Sequence, residues 1–150
     1  MDKKTRKQLL FQVMNEIGII QQLATTEFNR RLPDDLHVSH FSVINHLCRL
    51  GDGRTPLRIA NAFQVTKATM TNTLKRLSAR QLIEIRDNPA DGRSKLVFLT
   101  SEGRAFQKRG IATLEPVLAL MDQNLDMEKV IGMLPTLREL REYLDNNRSA

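Results

Sequence analysis

The chain has a single cysteine, Cys48, among its 150 residues, so no disulfide framework can form within one chain. This cysteine content favours a reducing compartment. No apolar run approaches the roughly 20 residues that span a bilayer, and Gln12, Asn15 and Glu16 interrupt the apolar residues near the N-terminus, which argues against a signal-peptide core. We therefore expect a cytoplasmic protein that has no membrane partner.

Patterns typical of catalysis are also missing. The sequence contains no Gly-x-Ser-x-Gly, no phosphate-binding loop and no zinc-peptidase motif, and no candidate nucleophile lies beside a base. We therefore predict that the protein is not an enzyme and that it uses no cofactor and no metal.

A third absence is local, because the stretch 53–83 contains no Asp or Glu. The formal net charge of the whole chain is +6, and this stretch alone carries six basic residues, so the remaining residues balance to zero. The six are Arg54, Arg58, Lys67, Lys75, Arg76 and Arg80. A segment that carries only positive charge indicates a surface that binds phosphate, as in nucleic acids.

The pattern within and after this basic stretch predicts a helix-turn-helix followed by a hairpin. Thr55 is a good N-cap for a short helix that ends at Phe63, and Thr66 is a good N-cap for a helix that ends near Arg80. Two short strands, Ile83–Asp87 and Lys95–Leu99, are separated by the turn formers at 88–92. The lobe 39–100 therefore reads as a winged helix-turn-helix, whose hairpin is the wing.

Long helices are predicted on both sides of this lobe. The first runs from about 5 to 31, and a second helix runs from Ser39, as its N-cap, to Leu50. Helix returns over 101–121, where Pro116 should bend it, and over 126–146, where Pro135 should kink or split it. The fold class is thus mainly α with a small β-hairpin wing.

The first helix has an apolar face too broad for a small domain to cover alone, and the apolar stripes of both segments 5–31 and 104–146 agree with an assembly surface. We interpret both segments as a dimerisation region that flanks the DNA-binding lobe. The residues predicted at the dimer interface are Leu9, Leu10, Val13, Met14, Ile17, Leu137, Leu140 and Leu144.

The helix after Thr66 has the composition of one that enters a DNA major groove. At 100° per residue its outward face carries small residues, an amide and cations, a mixture that permits close approach to base edges. Asn72 is the best candidate for reading a base, because its amide can pair with an adenine edge. The alternative is the solvated face of an ordinary amphipathic helix, although such faces usually carry acids too. The residues predicted to contact DNA from this helix are Thr66, Lys67, Ala68, Thr69, Thr71, Asn72, Lys75 and Arg76.

The hairpin tip is predicted to contact DNA as well. Arg93 and Lys95 would lie beside a minor groove with Ser94 between them, and Asp91 would orient the Arg93 guanidinium through a charge-assisted bond. Alone, this tip could equally be a charged turn with a surface ion pair. Its position directly after a basic helix-turn-helix favours the wing.

Other polar residues have structural explanations. Cys48 lies at helical spacing with apolar neighbours, so we expect a small core residue rather than a redox switch. His37, His40 and His46 cluster in sequence, and His37 and His40 could bind a metal together with Asp34 or Asp35. We favour surface residues near a helix start, or the lining of a ligand cleft.

The chain resembles the MarR (multiple antibiotic resistance regulator) family. The run from Ile59 to Met70 resembles that family's helix-turn-helix, the segment 88–93 resembles its wing motif Asp-Pro-x-Asp-x-Arg, and the segment 99–103 resembles the Leu-Thr-x-x-Gly that follows. Asn88 stands where the family usually has Asp, and Gln81 stands where a Gly often ends the recognition helix.

The resemblance implies a sequence-specific, double-stranded DNA-binding transcriptional regulator. It further implies a homodimer on a pseudo-palindromic operator, and a repressor that a small lipophilic or phenolic effector releases. Two other functions fit a winged helix: sequence-blind, architectural DNA binding, and protein interaction. A role in protein interaction predicts no affinity for DNA. The uninterrupted basic stretch indicates such affinity and therefore argues against that role.

Overall fold

A computed structural model describes residues 1–33 and 35–148. The fold is mainly helical and contains one antiparallel hairpin, as predicted. In chain order the elements are α1 (Lys3–Arg31), α2 (Val38–Leu50), α3 (Pro56–Phe63), α4 (Lys67–Ala79), β1 (Ile83–Asp87), β2 (Lys95–Leu99), α5 (Ser101–Ala112), α6 (Glu115–Asn124), α7 (Met127–Gly132) and α8 (Leu134–Asn146).

Local signals in the sequence explain where the helix-turn-helix begins and ends. Thr55 Oγ1 accepts the Arg58 N–H at 3.2 Å and caps α3, and Thr66 Oγ1 accepts the Thr69 N–H at 3.1 Å and caps α4. The strands coincide with the predicted ones, with Ile83 paired to Leu99 and Asp87 to Lys95. The start of α2 was predicted wrongly, since its N-cap is His37 and not Ser39. The imidazole Nδ1 of His40 accepts the His37 N–H at 3.0 Å, which an outline based on Ser and Thr caps misses.

One compact unit, Met1–Leu114, contains the helix-turn-helix and the hairpin. Its core is formed by apolar side chains from α2, α3, α4, the hairpin and α5. The largest fully buried side chains are Ile44, Leu47, Ile59, Leu74, Leu77, Val43 and Val97. Helix α5 belongs to this core, although the sequence outline assigned 104–146 to a dimerisation region. The functional division into lobe and dimer region stays a prediction.

Helix α5 packs closely because two of its core positions are glycines. A Cβ on Gly103 would lie 2.0 Å from the Leu82 carbonyl oxygen, and one on Gly110 would lie 2.5 Å from the Phe41 ring. No side chain fits at the first of these positions without backbone movement. Gly103 therefore fixes the start of α5 against the segment that joins α4 to the hairpin.

A second compact unit begins at Glu115 and contains α6, α7 and α8. Pro135 splits the last helical segment into α7 and α8, as predicted. The prediction for Pro116 was only partly right, because the chain leaves the helix after Ala112 and resumes it at Glu115 instead of bending. Pro116 thus stands in the first turn of α6, where proline is tolerated because that N–H needs no partner within the helix. No helix in the described part of the chain is both long and apolar enough to cross a membrane.

Candidate nucleic-acid interface

Helix α4 divides into a core face and an exposed face. Met70, Leu74 and Leu77 are buried, as its helical period predicts. The same helical period places Thr73 on the core face, but Thr73 is only half-buried, and its hydroxyl donates to the Thr69 carbonyl oxygen at 3.1 Å. All eight residues of the Thr66–Arg76 segment that were predicted to contact DNA are exposed.

A cleft of about 750 Å³ lies between α4, the hairpin and the N-terminus of α3. Leu57, Leu74 and Ile85 contribute apolar surface to it. Four cationic residues and one acidic residue line it, namely Lys67, Lys75, Arg93, Lys95 and Asp91. The fold therefore brings together cations of the basic helix and of the hairpin tip, which are separated by about 20 residues in the sequence.

The cleft contains some of the predicted DNA-contacting residues and leaves others outside. Thr71 and Ser94 line it together with the five charged residues above. The remaining predicted residues are exposed on α4 or at its cap but do not line the cleft: Thr66, Ala68, Thr69, Asn72 and Arg76. Thr66 and Thr69 also bond to each other, with 2.9 Å between their hydroxyl oxygens.

The hairpin tip is closed by its own side chains. Asn88 uses both ends of its amide: Oδ1 accepts the Ala90 N–H at 3.0 Å, and Nδ2 donates to Ser94 Oγ at 2.8 Å. A carboxylate at this position could only accept. Asn88, in place of the Asp of the MarR wing motif, therefore donates to the Ser94 hydroxyl oxygen and removes one negative charge from the cleft.

Two charged residues of the tip differ in their surroundings. The Lys95 ammonium forms an ion pair with the Asp87 carboxylate at the start of the turn. Asp91 was expected to hold the Arg93 guanidinium, and this expectation was wrong: Asp91 Oδ1 accepts the backbone N–H of Arg93 at 3.0 Å instead. Among the described residues no ion pair joins the two side chains. The short Asp side chain reaches a backbone two residues away more readily than a distant guanidinium.

Arg76 has an acceptor outside its own helix. Its Nη2 donates to the carbonyl oxygen of Asp35 at 3.2 Å, in the segment that connects α1 to α2. Asp35 has a φ of 56°, in the left-handed region. Arg76 therefore links the exposed helix to this connection, a role that the sequence did not indicate.

Burial and nearby positive charge lower the pKa of two histidines. One of them, His40, was expected at the surface and is buried instead. Burial lowers the pKa of His40, and the positive charges of Arg76 and His37 lower it further. Burial likewise lowers the pKa of His46, assisted by Arg54, Arg49 and Arg58. Among residues 1–33 and 35–148, no group of three or more His, Cys, Asp or Glu residues could hold a metal ion. Asp34, which belonged to the metal hypothesis, lies outside the described residues.

Cys48 is half-buried and packs against the core. Burial raises the pKa of its thiol, which disfavours the reactive thiolate. This environment agrees with the prediction of a small core residue.

Sequence reasoning missed several residues of the cleft, namely Thr55, Pro56, Leu57, Ser78, Ile85 and Asn88. The strand period could have indicated Ile85, because Ile83 and Ile85 point to the same face of β1. The α3 residues carried no such signal, since their place in the cleft depends on how α3 crosses α4.

The order of elements and the basic cleft define a winged helix-turn-helix protein, and comparisons with known proteins agree. The model of the MarR family matches residues 34–94. The HTH-type transcriptional repressor NicR of Pseudomonas putida is 28% identical over 102 residues, which span 67% of this chain and 65% of that repressor, slightly less than two thirds of its length.

Solved structures share the fold over most of the chain. The apo form of MarR from E. coli matches with a TM-score of 0.72 at 25% identity, covering 84% of this chain and 93% of that one. Bordetella bronchiseptica BpsR matches with a TM-score of 0.69 at 26% identity, covering 87% and 98%. Residues 34–94 thus match the MarR family, and the fold of the chain is that of winged helix-turn-helix regulators such as MarR.

Proposed function

We propose that this chain is a sequence-specific repressor that binds duplex DNA as a homodimer and is released by a small effector. The observation that carries the proposal is the cleft between α4 and the hairpin, which is lined by four cationic side chains and only one acidic side chain. A backbone phosphate of DNA needs such surroundings, because cations displace its condensed counterions and gain free energy from their release.

The exposed face of α4 carries side chains suited to reading the base sequence of DNA. Ala68 and Asn72 are exposed on it, and the small alanine side chain permits close approach to base edges. Asn72 would read an adenine edge, while Lys67, Lys75 and Arg93 would hold the flanking phosphates. Arg93 would hold its phosphate beside the adjacent minor groove, and it would act there without Lys95, because Lys95 is already paired with Asp87.

The proposal of a homodimer rests on large apolar side chains that are exposed to solvent in a single chain. Phe11 is 71% exposed, and Leu10 and Leu23 of the same helix are 61% and 66% exposed. Of the eight predicted interface residues, only Ile17 and Leu140 are half-buried, and the other six are exposed. Monomeric proteins rarely expose so many large apolar side chains on one helix. A second copy of the chain would cover them and present two α4 helices to a pseudo-palindrome.

The effector is proposed by similarity. BpsR is a protein whose DNA binding is regulated by 6-hydroxynicotinic acid. We expect this chain to respond to a small lipophilic or phenolic compound, which would bind better to a form of the dimer that does not fit the operator.

The DNA interface is tested by replacing Arg93 with Ala and comparing duplex affinity over a range of salt concentrations. The variant should bind all sequences more weakly, and the slope of log K against log salt should fall by about 0.9 for each lost phosphate contact. Lys108→Ala is the matched control, because Lys108 is an exposed cation of α5 that does not line the cleft. Equal slopes for wild type, Arg93→Ala and the control would contradict the assignment of the hairpin to DNA.

A further inference from the structure

The hairpin is anchored to the rest of its unit by the connection between α2 and α3. The Gly53 N–H donates to the Val97 carbonyl oxygen at 2.7 Å, and the Val97 N–H donates to the Arg54 carbonyl oxygen at 2.9 Å. Gly53 has a φ of 74°, and a Cβ there would meet the Phe98 ring at 3.4 Å, so a glycine suits this close approach. The connection thus acts as a very short third strand beside β2.

A side chain continues this third strand where its backbone stops. Two residues beyond Val97, the next N–H on the same edge of β2 belongs to Leu99, and it donates to Asp52 Oδ2 at 3.0 Å. The Arg104 guanidinium of α5 approaches the same oxygen at 3.4 Å. The Asp52 side chain is only 28% exposed, so water screens these contacts less than at the open surface.

We propose that Asp52 is the positioning residue of the wing: its carboxylate clasps the base of β2 to α5 and thereby sets where Arg93 lies over the cleft. The proposal rests on the proposed DNA-binding function. An isolated two-stranded hairpin is only marginally stable in water, so its position depends on edge contacts of this kind. A carboxylate is well suited, because its bond to an N–H is charge-assisted and Arg104 balances its charge.

The matched variants follow from the two contacts. Asp52→Ala removes both, whereas Asp52→Asn keeps an acceptor for the Leu99 N–H and loses only the attraction to Arg104. Glu102→Gln is the control, because Glu102 also pairs with an arginine of α5, at 2.6 Å from Arg109, but has no described contact with the hairpin. Thermal unfolding of each variant shows whether the unit remains folded.

DNA affinity is then measured for Asp52→Ala in the wild-type and Arg93→Ala backgrounds. If Asp52 acts through the wing, its loss lowers affinity about tenfold in the wild type, roughly the effect of one phosphate contact, and less than twofold when Arg93 is already absent. Asp52→Asn, which keeps the Leu99 bond but loses the attraction to Arg104, should lose less affinity than Asp52→Ala, and Glu102→Gln should stay within about twofold of the wild type. Equal losses in both backgrounds, or no loss, would overturn the proposal while leaving the DNA-binding function intact.

A readout without DNA separates the two proposals. Amide hydrogen exchange at Leu99 should be protected in the wild type and in Asp52→Asn and should become fast in Asp52→Ala, while protection in α2 is unchanged. Protection of Leu99 that survives Asp52→Ala would overturn the clasp even if the protein bound no DNA. A wild type that binds no duplex would instead contradict the proposed function.

Discussion

Asn72 lies in the middle of the exposed face of α4, where a neutral amide stands among cations. A bidentate amide contact with adenine discriminates against other bases by about 1–3 kcal/mol. Asn72→Ala should therefore relax base preference at one position of each half-site and leave binding to unrelated sequences nearly unchanged. Affinities for single-base variants of the operator measure this, and a uniform loss over all sequences would show that Asn72 only positions the helix.

His40 gives the protein a pH-dependent stability whose sign follows from burial. Its pKa is lowered in the folded state from a usual value of 6.5, so the unfolded chain takes up the proton first as the pH falls. Stability is therefore full above about 6.5 and is lost below it, by at most about 1.4 kcal/mol per pH unit for one proton. His46 shifts in the same direction.

Urea unfolding between pH 7.5 and 5.5 measures this loss, above the range where most carboxylates titrate. His40→Gln is the informative variant, because Gln at this position of a capping box can still accept the His37 N–H but does not titrate. The variant should lose stability less steeply than the wild type. Identical profiles for the two proteins would contradict the role of His40.

At the level of residues, the sequence predicted which charged side chains form the cleft better than it predicted the groups to which those side chains bond. The cations of the cleft were recognisable because an acid-free stretch needs no tertiary information. The partners of Asp91 and Arg76 were not, because each depends on a backbone group whose position is set by a turn. The contacts of Asp52 with Leu99 and Arg104 could not be predicted for the same reason, since the sequence Gly51-Asp52-Gly53 indicates only a turn.

At the level of elements, the end of α4 places a residue other than glycine in the left-handed conformation. The Leu82 N–H donates to the Leu77 carbonyl oxygen and the Gln81 N–H to that of Ser78, which is the bonding pattern of a Schellman motif. Gln81 occupies its left-handed position with a φ of 58°, where glycine is usual. The same arrangement ends α3 at Gln64, whose φ is 53°.

Gln81→Gly should therefore stabilise the protein. Relief of the left-handed strain is worth more than the added freedom of the unfolded chain, so the expected net gain is about 0.5–1 kcal/mol. The free energy of unfolding from chemical denaturation measures it. Gln81→Ala is the control, because it keeps a Cβ at the same φ and should not stabilise; equal effects of the two substitutions would contradict the strain.

Element boundaries were predictable where capping residues or turn formers mark them in the sequence. Thr55 and Thr66 did so for α3 and α4, and turn formers did so for the hairpin. The start of α2 and the break before Pro116 were not, because a histidine cap and a helix that ends four residues before a proline carry weak signals. How α3 and the hairpin enclose a cleft depends on packing and could not be read from the sequence.

At the level of the whole molecule, the exposed apolar face of α1 predicts assembly. Leu9→Asp together with Val13→Asp places two charges on that face and should give monomers or insoluble protein, because a buried unpaired charge opposes association. Analytical ultracentrifugation and duplex affinity measure the outcome. Gln8→Asp with Asn15→Asp, on the opposite face of the helix, is the control that should leave a dimer. A well-folded dimer of the Leu9 and Val13 variant, with intact DNA affinity, would contradict this interface.

The central claim is that the cleft and α4 read a specific duplex sequence as part of a dimer. It is tested most directly by selecting bound fragments from a random duplex pool with the purified protein at about 150 mM salt, near physiological ionic strength. The account predicts a pseudo-palindrome whose half-sites lie about one helical turn apart and are preferred over random DNA by about 10³-fold or more. Enrichment of no sequence, with binding that disappears at moderate salt, would contradict it.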